Sequence, residues 1–194
     1  DYTYHPVLEY RDPHMGEMMH HPDFAVCRRA NGWSVPFEPQ HGGSVRYADG
    51  FFVHTVTKLL PPNQYFDEHP EYYALRDGKR LREKTQLCLS NPEVLALVIE
   101  HVKEELRRQP DATIFSVSQD DNYNVCTCDK CRAIDEEEGS HAGTMIRFVN
   151  QVAKAIEEEF PNVIIDTLAY QFTRTPPKKT KPRKNVCVRL CTIE

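Results

Sequence analysis

The sequence predicts an α/β fold, a (β/α)8 barrel of the TIM type with about six of its eight units present, in a single partial domain over residues 1–194. Three observations lead there. Short apolar runs alternate with helical patterns, which implies parallel strands with helices outside the sheet. No Gly-x-Gly-x-x-Gly turn follows any strand and the chain has only 8 glycines, which weighs against a doubly wound nucleotide-binding sheet. Polar residues also recur just after expected strand ends, where barrels build their active sites: Arg11-Asp12, His54, Gln119 to Asp121, Tyr170-Gln171 and Glu194. A full barrel typically needs about 250 residues, so two units are missing or lie outside this sequence.

Each element has its own signal. Strands are expected near 7–10, 51–56, 86–89, 113–118, 163–169 and 186–193, each a short apolar run. A short helix around Asp23 to Ala30 stops at Asn31-Gly32. A long helix over 91–108 has Ser90 or Asn91 to cap it and Pro92 in its first turn, where a missing N–H costs nothing. Val94, Val98, Val102 and Leu106 repeat every four residues along it, so one face is apolar. A second helix over 144–159 buries Met145, Phe148, Val149, Val152 and Ile156 and ends before Pro161.

At 40% hydrophobic and 27% charged, the chain can bury a core and is no disordered tail. Its net charge of −5 argues against a nucleic-acid partner. The one basic run, Lys178 to Lys184, is short, broken by Pro182, and reads as a solvated loop. No apolar stretch is long enough to span a membrane. The opening Asp1-Tyr2-Thr3-Tyr4-His5 is polar and aromatic and reads as no signal peptide.

The sharpest chemical signal is Asp120-Asp121, directly after the fourth expected strand. Adjacent residues leaving a strand point different ways, so both carboxylates can reach one pocket while doing different jobs. Glycoside hydrolysis needs one carboxyl kept protonated and another ionised, with environment setting the difference. The plainer alternative is that Asp120-Asp121-Asn122 forms a turn or caps a helix. Arg11, His54, Gln119, Tyr170 and Glu194 are the candidate substrate contacts, each with an ordinary packing or ion-pair role as its alternative. Trp33, Tyr72 and Tyr73 have the rings to stack on sugars, with core packing as the competing role.

Cys126-x-Cys128-x-x-Cys131 brings three thiols close enough to share one soft metal ion, a structural zinc. Zinc sites usually take four ligands; Cys88 and His141 are candidates for the fourth. A disulfide plus a free thiol, or three reduced thiols, stand as alternatives. No organic cofactor is indicated.

Several runs carry a resemblance. Gly50-Phe51-Phe52-Val53-His54-Thr55, Leu60-Pro61-Pro62-Asn63-Gln64-Tyr65-Phe66, His69-Pro70-Glu71-Tyr72, Gln86 to Pro92, Phe115 to Asp121, the three-cysteine motif and Val188 to Glu194 resemble the bacterial family called domain of unknown function 4838. The likeness covers nearly the whole chain. It implies a glycosidase-type β/α barrel, a carbohydrate substrate or ligand, further domains in a longer chain, and export to the periplasm or the cell exterior. The Asp-Asp pair is also similar to that of the substrate-assisted β-N-acetylglucosaminidases of glycoside hydrolase family 84. By that resemblance Asp120 orients the substrate's acetamido group and Asp121 is the general acid. The pattern departs at Asp120, where the family of unknown function often carries Asn. The competing class is a non-catalytic carbohydrate-binding or scaffold barrel whose loop is pinned by a metal.

Overall fold

The structure, a computed structural model, describes residues 10–192. The chain divides into two compact units at Tyr47 and Ala48. In the first, two short helices, α1 (Gly16–His20) and α2 (Pro22–Cys27), accompany a small core of Ala25, Ala30 and Val35. Asp12 organises the loop around it, accepting from the Ser34 N–H at 3.0 Å and from the Ser34 hydroxyl. Gly32 is required there, because a Cβ would fall 2.1 Å from that of Asp12.

The second unit opens with α3 (Val56–Leu59) and α4 (Pro62–Tyr65). A hairpin follows, β1 (Leu75–Arg76) and β2 (Lys79–Arg80), turning at Asp77-Gly78 with both residues at positive φ, the pairing that matches strand twist. Next comes α5 (Pro92–Arg108), started by Asn91, whose side-chain oxygen accepts from the Glu93 N–H at 2.9 Å. Then come β3 (Ile114–Ser116), α6 (Asp129–Glu138), α7 (Ala142–Ile156), β4 (Ile164–Ala169) and β5 (Val186–Leu190). The last three strands form one parallel sheet in the order β3-β4-β5, with Ser116 opposite Asp166 and Ala169 opposite Leu190. The helix stripes read from the sequence make the core. Val94, Val98, Val102 and Leu106 of α5 pack with Phe148, Val149, Val152 and Ile156 of α7 and with Phe115 and Ile165 of the sheet. Each such side chain contributes about 1.5–3 kcal/mol on burial.

The (β/α)8 barrel is not what forms. Among the described residues the sheets hold five strands, three parallel and two antiparallel, and the architecture is α/β with small sheets. Two expected strands fail for visible reasons. Residues 51–56 do run beside β3: the Ser116 N–H reaches Phe51 O at 3.0 Å and the Thr55 N–H reaches Ser118 O at 3.1 Å. Bends at 52–54, with His54 held at φ 55°, break the ladder between those bonds. Residues 86–89 pair instead with 72–74 in the antiparallel sense, through one bridge between Tyr73 and Leu87. Among the described residues this segment makes no pairing with the parallel sheet. Of the expected strand at 7–10, residues 7–9 lie outside the described residues, as does Glu194, and Tyr10 is not in a strand.

Candidate functional site

Asp120 and Asp121 follow β3, beside the turn at Gln171–Thr173 that follows β4, so parallel pairing brings two loops together at one sheet end. Gln119 is fully buried and joins them: its amide donates to Tyr170 O at 3.0 Å and its oxygen accepts from the Thr173 hydroxyl at 2.5 Å. Asp120 has no strand beside it, yet its backbone is satisfied. The side chain of Gln86 takes the Asp120 N–H at 3.0 Å and gives its own amide to Asp120 O at 2.8 Å, standing in for a neighbouring strand.

The two carboxyls then meet opposite surroundings. Asp120 is largely buried, and its side chain accepts from the Thr57 hydroxyl. Burial pushes its carboxyl above the usual carboxylate range, against the lowering effect of Thr57 and of the His54 and Lys58 charges. Asp121 is exposed and accepts from Tyr170 OH at 3.0 Å and from the Gln171 amide at 2.9 Å. Both line an open cleft of about 310 Å³ with His54, Thr57, Arg82 and Asn122. His54 and Gln171, on either side of the pair, both hold positive φ, at 55° and 50°. Left-handed backbone at non-glycine residues costs of order 1–3 kcal/mol and tends to cluster at functional sites. The His54 ring donates from Nδ1 to Gln119 O at 2.8 Å and its N–H donates to Ser118 Oγ at 3.1 Å, so two neighbours enforce that conformation.

A second cluster lies in the same unit. Cys126, Cys128 and Cys131 converge, and Cys88 completes the set: one sulfur from each lies within 4.8 Å of all the others. Cys128 caps α6 and Cys131 sits in its first turn, where the helix dipole favours negative charge. Cys126 accepts from the Leu75 N–H at 3.4 Å and lies 3.9 Å from the Arg80 guanidinium. Donation from Cys126 and Cys131 pulls the Cys88 thiol far below its ordinary value, while Cys126 is pushed up to about 11 and Cys131 higher still. Sharing protons this way is how close thiols such as Cys88, Cys126 and Cys131 behave when they cannot all ionise together. The described cysteines form no disulfide. The buried four-cysteine cluster can hold a metal ion.

Of the residues singled out from the sequence, Gln119, Asp120, Asp121, His54 and Tyr170 come together. Arg11 is exposed in the first unit, where its N–H donates to the Asn31 side chain at 2.8 Å. Tyr72 and Tyr73 are core residues, hydrogen-bonded to Glu93 and to Leu60 O. His141, a candidate fourth metal ligand, pairs with Asp135 instead. Thr57 and Gln86 were not singled out as site residues, and nothing local marks them, because they reach Asp120 across 63 and 34 residues of chain; Gln171 was marked only by its place after a strand end.

The chain belongs to the family described as Domain of unknown function (DUF4838), which matches it over residues 1–194. Comparison with curated proteins and with solved structures returns no match. No helix among the described residues is long and apolar enough to cross a membrane.

Proposed function

We propose that the Asp120–Asp121 cleft is the acid–base centre of a carbohydrate-active site that cleaves glycosidic bonds. The carrying observation is that two adjacent carboxyls open on one cleft in opposite environments, the arrangement that separates a proton donor from its partner. The buried environment of Asp120 supports it as the donor. It gives its proton to the glycosidic oxygen as the C–O bond breaks, and water supplies the hydroxyl to the sugar and returns the proton. Asp121, fixed by Tyr170 and Gln171, serves the substrate or the attacking water. This reverses the roles implied by the likeness to the β-N-acetylglucosaminidases. The test is hydrolysis of a panel of nitrophenyl and alkyl glycosides and glucuronides. A protein that binds sugars but cleaves none of the panel is the non-catalytic class instead.

A second reading concerns the cysteines, which we assign to structural zinc. A tetrahedral site with Zn–S near 2.3 Å sets sulfurs about 3.8 Å apart, and Cys88 and Cys128 stand at 3.6 Å. Leu75 N–H and Arg80 supply the positive surroundings that a thiolate set needs. The ion would tie the loop before α6 to the segment at Cys88. Elemental analysis should find one zinc per chain, lost with Cys88→Ser; metal-free protein with a mapped disulfide would reverse the assignment.

A further inference from the structure

A second cleft, of about 570 Å³, is lined by Thr127, Arg132, Glu136, Ser140, His141 and Phe172. Its centre is an imidazole held by a buried carboxylate. His141 Nδ1 lies 2.6 Å from Asp135 Oδ2, and the other Asp135 oxygen accepts from the Thr144 hydroxyl at 2.5 Å. A carboxylate can only accept, so Nδ1 carries the hydrogen and Nε2 is left as an acceptor whenever the ring is neutral. No described residue makes a hydrogen bond to Nε2. The Phe172 ring lies at 82° to the imidazole, centroids 6.1 Å apart, and gives the cleft an aromatic lining.

A fixed acceptor, an aromatic wall and a rim that both donates and accepts suit a ligand with hydroxyls on its edges and an apolar face. The cleft volume falls within the range usual for small-ligand sites. We propose that this is a second, carbohydrate-binding site, in which a sugar hydroxyl donates to His141 Nε2 and the sugar's apolar face lies on Phe172. The turn that offers Phe172 here offers Gln171 to Asp121, so one short segment supports both clefts. The inference shares its ligand class with the proposed function, but its readout is on His141 rather than on turnover, so either can fail alone.

Long-range proton–nitrogen NMR at a pH where imidazoles are neutral reads the His141 tautomer directly. The expected form is Nδ1–H, with a saturable Nε2 shift on adding cellobiose, xylobiose or N,N′-diacetylchitobiose to the intact protein. Asp135→Asn turns the partner into a donor and forces the Nε2–H tautomer, which should weaken binding about tenfold. Phe172→Ala should weaken it while leaving the tautomer unchanged, and stands in if Asp135→Asn fails to fold. A dyad that only staples α6 to α7 predicts no His141 response to any of the three sugars. That result, an Nε2–H tautomer in the wild type, or unchanged affinity in the variants would overturn the proposal.

Discussion

Asp120 and Glu138 are both carboxyls taken largely out of water, and the protein treats them in opposite ways. Glu138 is fully buried at the end of α6, where the helix dipole disfavours negative charge. It nevertheless receives donors from Arg147 at 2.6 and 2.9 Å, from the Thr180 hydroxyl at 2.5 Å, and from the backbone N–H groups of Lys179 and Thr180 at 2.8 and 3.0 Å. Led by the Thr180 hydroxyl, these donors outweigh burial and hold its carboxyl down to about 2. Asp120 has only Thr57, through its hydroxyl and backbone N–H, and the nearby charges of His54 and Lys58, so burial wins and its proton is retained more tightly. Burial alone does not set the charge of a carboxyl; the number of donors aimed at it does. Glu138 is a structural clamp holding the 178–180 segment to α6, whereas the raised value of Asp120 is what the proposed acid role requires.

The largest effect expected from this contrast is on catalysis. Asp120→Asn keeps the shape but removes the transferable proton, and the loss should be on the order of 10²–10⁴-fold in rate for alkyl glycosides. Nitrophenyl substrates, whose leaving group needs little protonation, should suffer much less. Asp121→Asn should slow both substrate types alike. Leaving-group dependence in the Asp121 variant instead would return the acid role to Asp121.

Next in size is the clamp. Glu138→Gln leaves the half-buried Arg147 facing an amide and removes acceptor capacity, so thermal unfolding should shift down by about 5 °C or more. Gly143→Ala tests the same region sterically, since a Cβ there would fall 2.3 Å from the Glu138 Cβ. Overpacking of that kind costs about 1–3 kcal/mol.

The pH dependence should separate the two carboxyls by sign. The folded value for Glu138 lies below its ordinary 4.5. Its contribution is therefore complete above that pH and drains away as pH falls toward about 2. Denaturant titrations should show that acid loss in the wild type and a flatter profile in Glu138→Gln.

The smallest effect is the reverse. Asp120 has its folded value raised, so its ionisation opposes folding, and Asp120→Asn should raise the unfolding temperature by about 1–3 °C at neutral pH. The gain should vanish in acid, where the wild-type carboxyl is already neutral. A destabilised Asp120→Asn at neutral pH would show that the Thr57 bond matters more than the burial.

What the sequence determined by itself was local and periodic. The four-residue repeat of Val94, Val98, Val102 and Leu106, capped by Asn91, defines α5 within a residue or so, and the stripe from Met145 to Ile156 places α7 within two or three residues at each end. The acid pair could be placed after a strand, and the three-cysteine motif marked most of the cluster that can hold a metal ion. Only the tertiary structure decided how many strands pair and in which sense. An apolar run such as Gln86 to Leu89 fits a parallel barrel strand as well as the antiparallel bridge to Tyr73 that it makes. Tertiary structure also decided which carboxyl holds its proton more tightly and which is clamped, because Thr57, Thr180 and Arg147 act on their partners across 63, 42 and 9 residues of chain. Secondary-structure periodicity is written in neighbouring residues, whereas a carboxyl's charge depends on donors that only folding brings to it.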